Sequence, residues 1–318
     1  MSVAAPEAVP IPKRAKQRPT KAVRKSFSSP TASFLVVVLT VLWTIPTLGL
    51  LVTSLRPAID VTRSGWWTIV TNPKLTLSNY TDVLFSGGFG VSGGLSPYFV
   101  NSFIISIPAT LFPLAFAAMA AYALAWMRFR GSDFLFFTIF ALQVVPLQMA
   151  LIPLLQFFSG GLHLGSITLI PSPQLSGTFY TVWIAHTMFA LPLAIFLLHN
   201  FIAQLPRDIM EAAVVDGANH FLIFRKIVIP LSTPALASFA IFQFLWVWND
   251  LLVALTFVGG QPTVAPLTAR LSQLTGALGS KWELLTAGAF IAIVVPLVVF
   301  FSLQRYFVRG LLAGSVKG

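Results

Sequence analysis

Asp250 is the one carboxylate inside a long apolar stretch of this sequence, and its neighbours are polar and aromatic. Asn249 precedes it, and Trp246 lies about one helical turn earlier, in FQFLWVWNDLL. An ionised carboxylate within a bilayer costs about 2.5 to 3.5 kcal/mol on insertion scales, so such a residue usually has a function. Carboxylates accept hydrogen bonds from hydroxyl groups, and an indole ring stacks on flat apolar faces. Two interpretations remain open: these residues line a solute pathway, or the carboxylate pairs with a donor on a neighbouring helix or lies near the outer membrane interface.

A second group of polar side chains lies in the apolar stretch LQVVPLQMALIPLLQ. Gln143, Gln148 and Gln156 spread over more than half of a helix circumference, so they cannot all face lipid at low cost. Each one either bonds to a neighbouring helix or lines a polar path. We therefore include Gln143 and Gln148 with Trp246, Asn249 and Asp250 as possible pathway residues.

Other kinds of chemistry have little support. The four histidines, His163, His186, His199 and His220, are scattered without an HExxH pattern, which favours interhelical hydrogen bonds or interfacial positions. Cysteine is absent, so thiolate metal sites, cysteine nucleophiles and disulfides are excluded. We expect no catalytic residue and no metal site in this chain.

Two glycine-containing segments superficially resemble nucleotide-binding loops. Gly88, Gly90 and Gly93 have GxGxxG spacing, but no buried strand precedes them and no βαβ unit follows. GALGSK at 276–281 lacks the spacing of a phosphate-binding loop. We expect no bound cofactor.

The composition indicates which elements must position these residues. Hydrophobic residues make up 56% of the 318 residues, only 9% are charged, and the mean hydropathy is +0.84, which is too apolar for a soluble domain. Apolar runs of about 20 residues, long enough to cross a bilayer as a helix, occur six times. The sequence predicts an all-α integral membrane protein with six transmembrane helices, at approximately 34–55, 98–127, 134–158, 179–202, 234–258 and 284–304.

The distribution of basic residues predicts the orientation. With six spans, 15 of the 20 Lys and Arg fall on the same side as the amino terminus. Because cytoplasmic loops are enriched in Lys and Arg, both termini are predicted to be cytoplasmic, in a plasma (inner) membrane. Residues 1–33, which contain KRAKQRPTKAVRK, are predicted to be a disordered tail that fixes orientation. The net charge of +11 is thereby explained without nucleic acid.

One polar segment, EAAVVDG at 211–217, lies on the cytoplasmic side of this topology. Pro206 suits a helix start, Asp208 and Glu211 favour the amino-terminal turns, and Gly217 suits a left-handed cap. The resulting helix, about 206–217 with its cap, is too short to be stable alone. Ala212 and Ala213 allow another surface to approach closely, so a docking partner is expected.

These residues match the signature EAA-xxx-G-x(9)-I-x-L-P. Ile227 and Pro230 complete the match, and Ile229 replaces the usual leucine. The chain thus resembles the permease subunits of binding-protein-dependent ABC importers, from about residue 34 to 318. WNDLL at 248–252 and the end QRYFVRGLLAGSVKG resemble the carbohydrate branch, and in particular the second permease of maltose-type and α-glucoside systems.

The resemblance implies a type I ABC importer permease fold, with 34–318 as the permease domain. It also implies a coupling helix that docks on a separate ATPase through Glu211, Ala212, Ala213, Asp216 and Gly217. The implied partners are a different permease, two ATPase subunits that bind ATP and Mg²⁺, an external sugar-binding protein, membrane lipid and a sugar. An ion-coupled secondary transporter is an alternative, although no internal repeat is visible. An intramembrane enzyme is a weaker one.

Overall fold

A computed structural model describes residues 30–86, 94–127, 129–277 and 281–315 of the chain. The triplet Gly88, Gly90 and Gly93 and the basic segment 13–25 lie outside these ranges. The chain forms two compact units, which divide between Leu50 and Leu51. The second unit contains every predicted site residue.

Helices account for most of the described residues. A 3-10 turn covers Trp66–Val70, a π-helical segment covers Phe224–Val228, and strands β1 (Gly161–Leu164) and β2 (Ile167–Pro171) form an antiparallel hairpin. The α-helices are α1 Pro30–Ser54, α2 Ala58–Arg63, α3 Ser78–Phe85, α4 Ser96–Ser106, α5 Pro108–Trp126, α6 Ser132–Leu142, α7 Leu147–Gly160, α8 Phe179–Ile202, α9 Arg207–Val215, α10 His220–Ile223, α11 Ile229–Trp248, α12 Leu252–Phe257, α13 Leu267–Ala277 and α14 Trp282–Ser315.

Five helical segments in the described ranges are long and apolar enough to cross a membrane, and a bent pair makes six if it counts as one span. The predicted all-α, six-span architecture is confirmed, with one exposed hairpin that the apolar pattern did not predict. The five segments are Pro30–Ser54, Ser96–Trp126, Phe179–Ile202, His220–Trp248 and Trp282–Leu303, and the bent pair is Ser132–Leu142 with Leu147–Gly160.

The third span is not the continuous helix predicted at 134–158. Its two halves, α6 and α7, meet at 99° across residues 143–146, which we call the elbow. Pro146 has no backbone N–H and restricts the residue before it, so the helix ends ahead of it. The last turn tightens as well, since the amide nitrogens of Gln143 and Val144 donate to carbonyls three residues earlier, at 3.1 Å each.

The fifth span is also displaced from its predicted bounds of 234–258. It begins at His220 and ends at Trp248. The charged pair Arg225 and Lys226 interrupts the apolar run, although both side chains are exposed at the end of the span. The helix continues through Pro230 because the preceding turn widens into the π-helical segment, which accommodates the missing proline N–H.

Small residues hold the central helices together. Ala117 and Ala121 on α5 and Ala190 and Ala194 on α8 are almost completely buried in one cluster. Alanine allows two helix backbones to approach closely, which is the usual way that helices pack in membranes. The same cluster extends through Met210 to α9, so the packed centre also supports the EAAVVDG segment.

A buried arginine organises the segment between α1 and α3. The guanidinium of Arg56, 1% exposed, donates to the carbonyl of Gly65 at 2.8 Å and to the hydroxyls of Ser64 and Thr68 at 2.9 and 3.0 Å. Asn79 on α3 donates in turn to the carbonyl of Arg56 at 2.8 Å. Because charged groups are costly to bury without polar partners, this network fixes the path of residues 56–79.

Candidate functional site: the α9 helix and the Asp250 cluster

The EAAVVDG segment forms the short helix that the sequence predicted. α9 runs from Arg207 to Val215, with Pro206 before it and Asp208 in its first turn. A nine-residue helix is marginal in water, so its tertiary contacts must stabilise it. Met210 supplies one, since it is 5% exposed and packs in the central cluster, where half-buried Ala213 also packs.

The carboxyl end of α9 closes with a Schellman motif. Gly217 has φ +78°, and its N–H donates to the carbonyl of Val214 at 3.0 Å, while the N–H of Ala218 donates to the carbonyl of Ala213 at 2.9 Å. The predicted left-handed cap at Gly217 is confirmed. Asn219 then accepts a hydrogen bond from the N–H of Leu222 at 2.9 Å and thereby starts α10. The chain therefore reverses tightly from α9 into the fifth span.

The outer face of α9 is open. Glu211, Ala212 and Asp216 are exposed, and Val215 is 87% exposed. The face thus combines carboxylates with small and branched apolar side chains. Such a surface can bind a protein partner through an apolar centre and charged edges.

A groove of about 320 Å³ lies between α9 and the start of the fifth span. Its walls come from the cap of α9 and the first turns after it, and they include one acid and one base. The groove can therefore receive a side chain or a short segment of a partner. Its lining residues are Ala213, Asp216, Gly217, Ala218, Leu222, Ile223, Lys226 and Ile227.

Two hydrogen bonds connect this region to the spans. The hydroxyl of Tyr122 on α5 lies 3.0 Å from Nδ1 of His220, directly after the cap. The indole N–H of Trp126 donates to the carbonyl of Ile202, at the end of α8, at 3.0 Å. The first bond thus ties α5 to the start of α10, and the second ties α5 to the end of α8. The interhelical role expected of the histidines is confirmed for His220.

Asp250 does not lie inside a continuous fifth span. α11 ends at Trp248, and Asp250 occupies the break before α12. Its carboxylate oxygens accept hydrogen bonds from the N–H groups of Val253 and Ala254, at 3.3 and 3.0 Å, and so cap α12. The continuous helix predicted around Asp250 is wrong, because the capping carboxylate itself allows the chain to break there.

His186 on α8 is the closest basic partner described for this carboxylate. Its Nε2 lies 3.7 Å from Oδ2 of Asp250, the histidine is 1% exposed, and the Asp250 side chain is 11% exposed. The ring of Trp246 meets that of His186 edge-on, with 6.1 Å between centroids. Sequence spacing could not find His186, because it comes from another helix 64 residues earlier.

The remaining pathway candidates are separated from this cluster or turned outward. Asn249 is exposed and donates to the carbonyl of Leu245 at 2.7 Å. Gln143 lies in the elbow and Gln148 in the first turn of α7, and both are exposed. The structure therefore brings Trp246 and Asp250 together around His186, and we call these three residues the Asp250 cluster.

Comparisons with known proteins identify the family. Residues 113–312 match the model of the binding-protein-dependent transport system inner membrane component. The osmoprotective compounds uptake permease protein GgtD of Synechocystis is 54% identical over 288 residues, which cover 89% of this chain and 91% of that protein. The α-glucoside transport system permease protein AglG of Rhizobium meliloti is 55% identical over 253 residues, covering 80% of this chain and 63% of that protein.

The fold is also found in solved structures. A chain of a bacterial ABC transporter involved in the import of the acidic polysaccharide alginate superposes with a TM-score of 0.67 at 20% identity. The match covers 94% of this chain and all of that chain. The structural match shows the fold, and the family match over residues 113–312 with the 54% identical relative shows that this chain belongs to the inner membrane components of binding-protein-dependent transport systems.

Proposed function

We propose that this permease belongs to an ATP-driven uptake system for sugars, and that α-glucosides are its substrate class. The relative named for α-glucoside transport, at 55% identity, is the observation that carries the proposal. A 33% identical permease of Halalkalibacterium halodurans is named for the transport of arabinooligosaccharides, so a more distant relative is also named for a sugar. The chain would form half of the pore beside a different permease, and a sugar-binding protein would deliver the substrate from outside.

The α9 helix is the proposed contact with the ATPase. Its exposed face carries Glu211, Ala212 and Asp216, and the groove beside it offers space for a partner side chain. Glu211 would pair with a basic residue of the partner through a charge-assisted hydrogen bond. Two separate ATPase subunits would bind ATP and Mg²⁺ and supply the free energy for transport.

Coupling would use the connections already described. ATP-driven closure of the ATPase pair would shift α9, and the contacts of Met210, Tyr122 and Trp126 would transmit that shift to α5 and α8. Packed helices change between discrete arrangements rather than deforming continuously. The result would be alternation between inward-open and outward-open states.

The pathway would include the elbow and the Asp250 cluster. Non-helical backbone at membrane depth is tolerated where it is buried in protein or lines a watery cavity. The elbow is non-helical and includes Gln143, and Gln148 follows it in the first turn of α7. Trp246 would stack its ring on a face of the sugar. Asp250 would accept hydrogen bonds from sugar hydroxyls. Asp250 has the weaker claim, because its oxygens already cap α12.

The decisive experiment is reconstitution of the complex in lipid vesicles with a panel of sugars. We expect α-glucosides to stimulate ATP hydrolysis and to be taken up only when the binding protein and ATP are present. Uptake that follows an imposed ion gradient without ATP would instead support the secondary transporter. Chemical conversion of the sugar by the chain alone would support the intramembrane enzyme.

A further inference from the structure

The hairpin β1–β2 carries an apolar face that nothing in the described chain covers. Leu162 pairs with Ile170 and Leu164 pairs with Ile167, and the strand register shifts between Leu162 and His163. Directly paired residues lie on the same face of a sheet, and the shift lets Ile167 and Ile170, three residues apart, both face the side of Leu162 and Leu164. Their exposed fractions run from 46% to 68%. An aliphatic patch of this kind on a folded surface usually marks an interaction site.

The opposite face of the hairpin is polar and internally bonded. The hydroxyl of Thr168 lies 3.1 Å from Nδ1 of His163, and Nε2 of His163 lies 2.8 Å from the carbonyl of Gly160. At the base, the hydroxyl of Ser172 donates to the carbonyl of Ser159 at 2.8 Å. The hairpin therefore has one side suited to water and one suited to a partner.

Lipid is a poor cover for this face. Tyr180 and Trp183, at the start of α8, have the character of head-group anchors, and the hairpin precedes them in the chain. The hairpin itself contains no Trp, Tyr, Lys or Arg, which are the residues that hold a surface at the head groups. Its two edges would also leave backbone groups unpaired in hydrocarbon.

The composition favours a permanent protein partner over a transient one. The hairpin at 161–171 contains no Asp, Glu, Lys or Arg, whereas interfaces that form and separate repeatedly keep a larger polar share. An isolated two-stranded hairpin is also marginally stable in water, so a permanent cover would stabilise it. The external binding protein must leave after each delivery and would expose the face again.

The hairpin lies at the opposite end of α8 from α9. α8 has 24 residues, which span about 36 Å, and α9 follows its other end after four residues. An ATPase docked on α9 therefore cannot reach the hairpin. From these observations we infer that the face of Leu162, Leu164, Ile167 and Ile170 is a permanent contact with the second permease subunit on the external side. This inference rests on the proposed function, in which that subunit is a different chain.

Photo-crosslinking in the assembled complex tests the inference. A benzophenone amino acid replaces Leu164 in one version and, as the matched control, Thr168 on the opposite face in another. We expect irradiation to attach the second permease at position 164 with at least about tenfold higher yield than at 168, because benzophenone reacts only with groups in contact. An adduct at 164 with the binding protein, with lipid or with another copy of this chain overturns the inference, as does equal yield at both positions.

A substitution experiment adds an independent measurement. Leu164→Asp with Ile167→Asp places two carboxylates on the face, while Ser166→Asp adds one at the exposed turn as a control. We expect the yield of second permease on the tagged chain to fall at least about tenfold in the double variant only, since carboxylates would be left buried in the interface. Unchanged yield in the double variant overturns the inference. Absence of a second permease from the unmodified complex would instead contradict the proposed function.

Discussion

Gly217 needs a backbone conformation that other residues adopt at a cost. Beyond its own chain neighbours, no described atom lies within 4 Å of the position that a Cβ would take, so a larger side chain is strained by φ alone. Gly217→Val should cost about 1 to 2 kcal/mol locally and loosen the cap of α9. We expect normal membrane levels and normal pairing with the second permease, but weak retention of the ATPase.

The matched control is Gly217→Asn, because asparagine tolerates the left-handed region better than valine does. ATPase co-purification and sugar-stimulated hydrolysis should be close to wild type in this variant. If the valine variant also gives wild-type values in both assays, the coupling role of the cap is wrong.

Glu211 contributes a carboxylate to an open surface, so its replacement leaves the packed core unchanged. Glu211→Gln removes the charge and keeps the size, and we expect sugar-stimulated ATP hydrolysis to fall while the chain still assembles. Glu211→Lys should reduce it further, because it repels a basic partner. Lys74→Ala, an exposed change in the segment after α1, is the control. Equal activity in all three variants contradicts the ATPase contact.

Asp250 combines a capping role with a possible pathway role, and two substitutions separate them. Asparagine keeps one of the two acceptor oxygens that cap α12, whereas alanine loses both at a cost of about 0.5 to 2 kcal/mol. If the carboxylate serves the sugar, uptake should fall in both Asp250→Asn and Asp250→Ala. Loss of uptake and of thermal stability in the alanine variant alone would assign Asp250 to structure.

At the scale of elements, the elbow decides where Gln143 and Gln148 act. Their replacement by leucine removes amide groups from the proposed pathway and should reduce sugar uptake with unchanged yields of the partner subunits. Gln156→Leu is the matched control, since this glutamine is also exposed but lies further along α7. Loss of the second permease in the elbow variants would indicate an interface instead of a pathway.

The elements differ in how well the sequence predicts them. α9 was predictable because Pro206, Asp208 and Gly217 are local signals that act within one or two turns. The elbow was not, because a proline in a membrane helix can kink it, break it or be accommodated, and packing decides which occurs. The fifth span shows the accommodated case, in which a π-helical turn carries the chain through Pro230.

The same limit applies to the Asp250 cluster. The sequence identified Trp246 and Asp250, because an acid in an apolar stretch is conspicuous by itself. The sequence did not predict the break after Trp248. A carboxylate that caps the start of a second helix and one that lies inside a single continuous helix can have the same neighbours in sequence. The sequence also missed His186 as the partner, because contacts between α8 and α11 depend on tertiary packing.

At the scale of the whole molecule, the absence of cysteine makes orientation directly measurable. A single cysteine at Ser166, in the hairpin turn, and one at Gln204, between α8 and α9, should have opposite accessibility across the membrane. We expect an impermeant maleimide added to intact cells to label the first and not the second. In permeabilised cells, the maleimide should label both cysteines. The reverse pattern would place both termini outside and contradict the charge asymmetry.

The exposed side chains of Arg63 and Lys74 have a consequence for digestion of intact cells by trypsin. Both lie in the segment that the Arg56 network holds, whereas Arg56 itself is buried and precedes Pro57, so trypsin does not cut after it. Cleavage in this segment should therefore occur after Arg63 and after Lys74. A product that begins at Leu75 would report on which side of the membrane this segment lies.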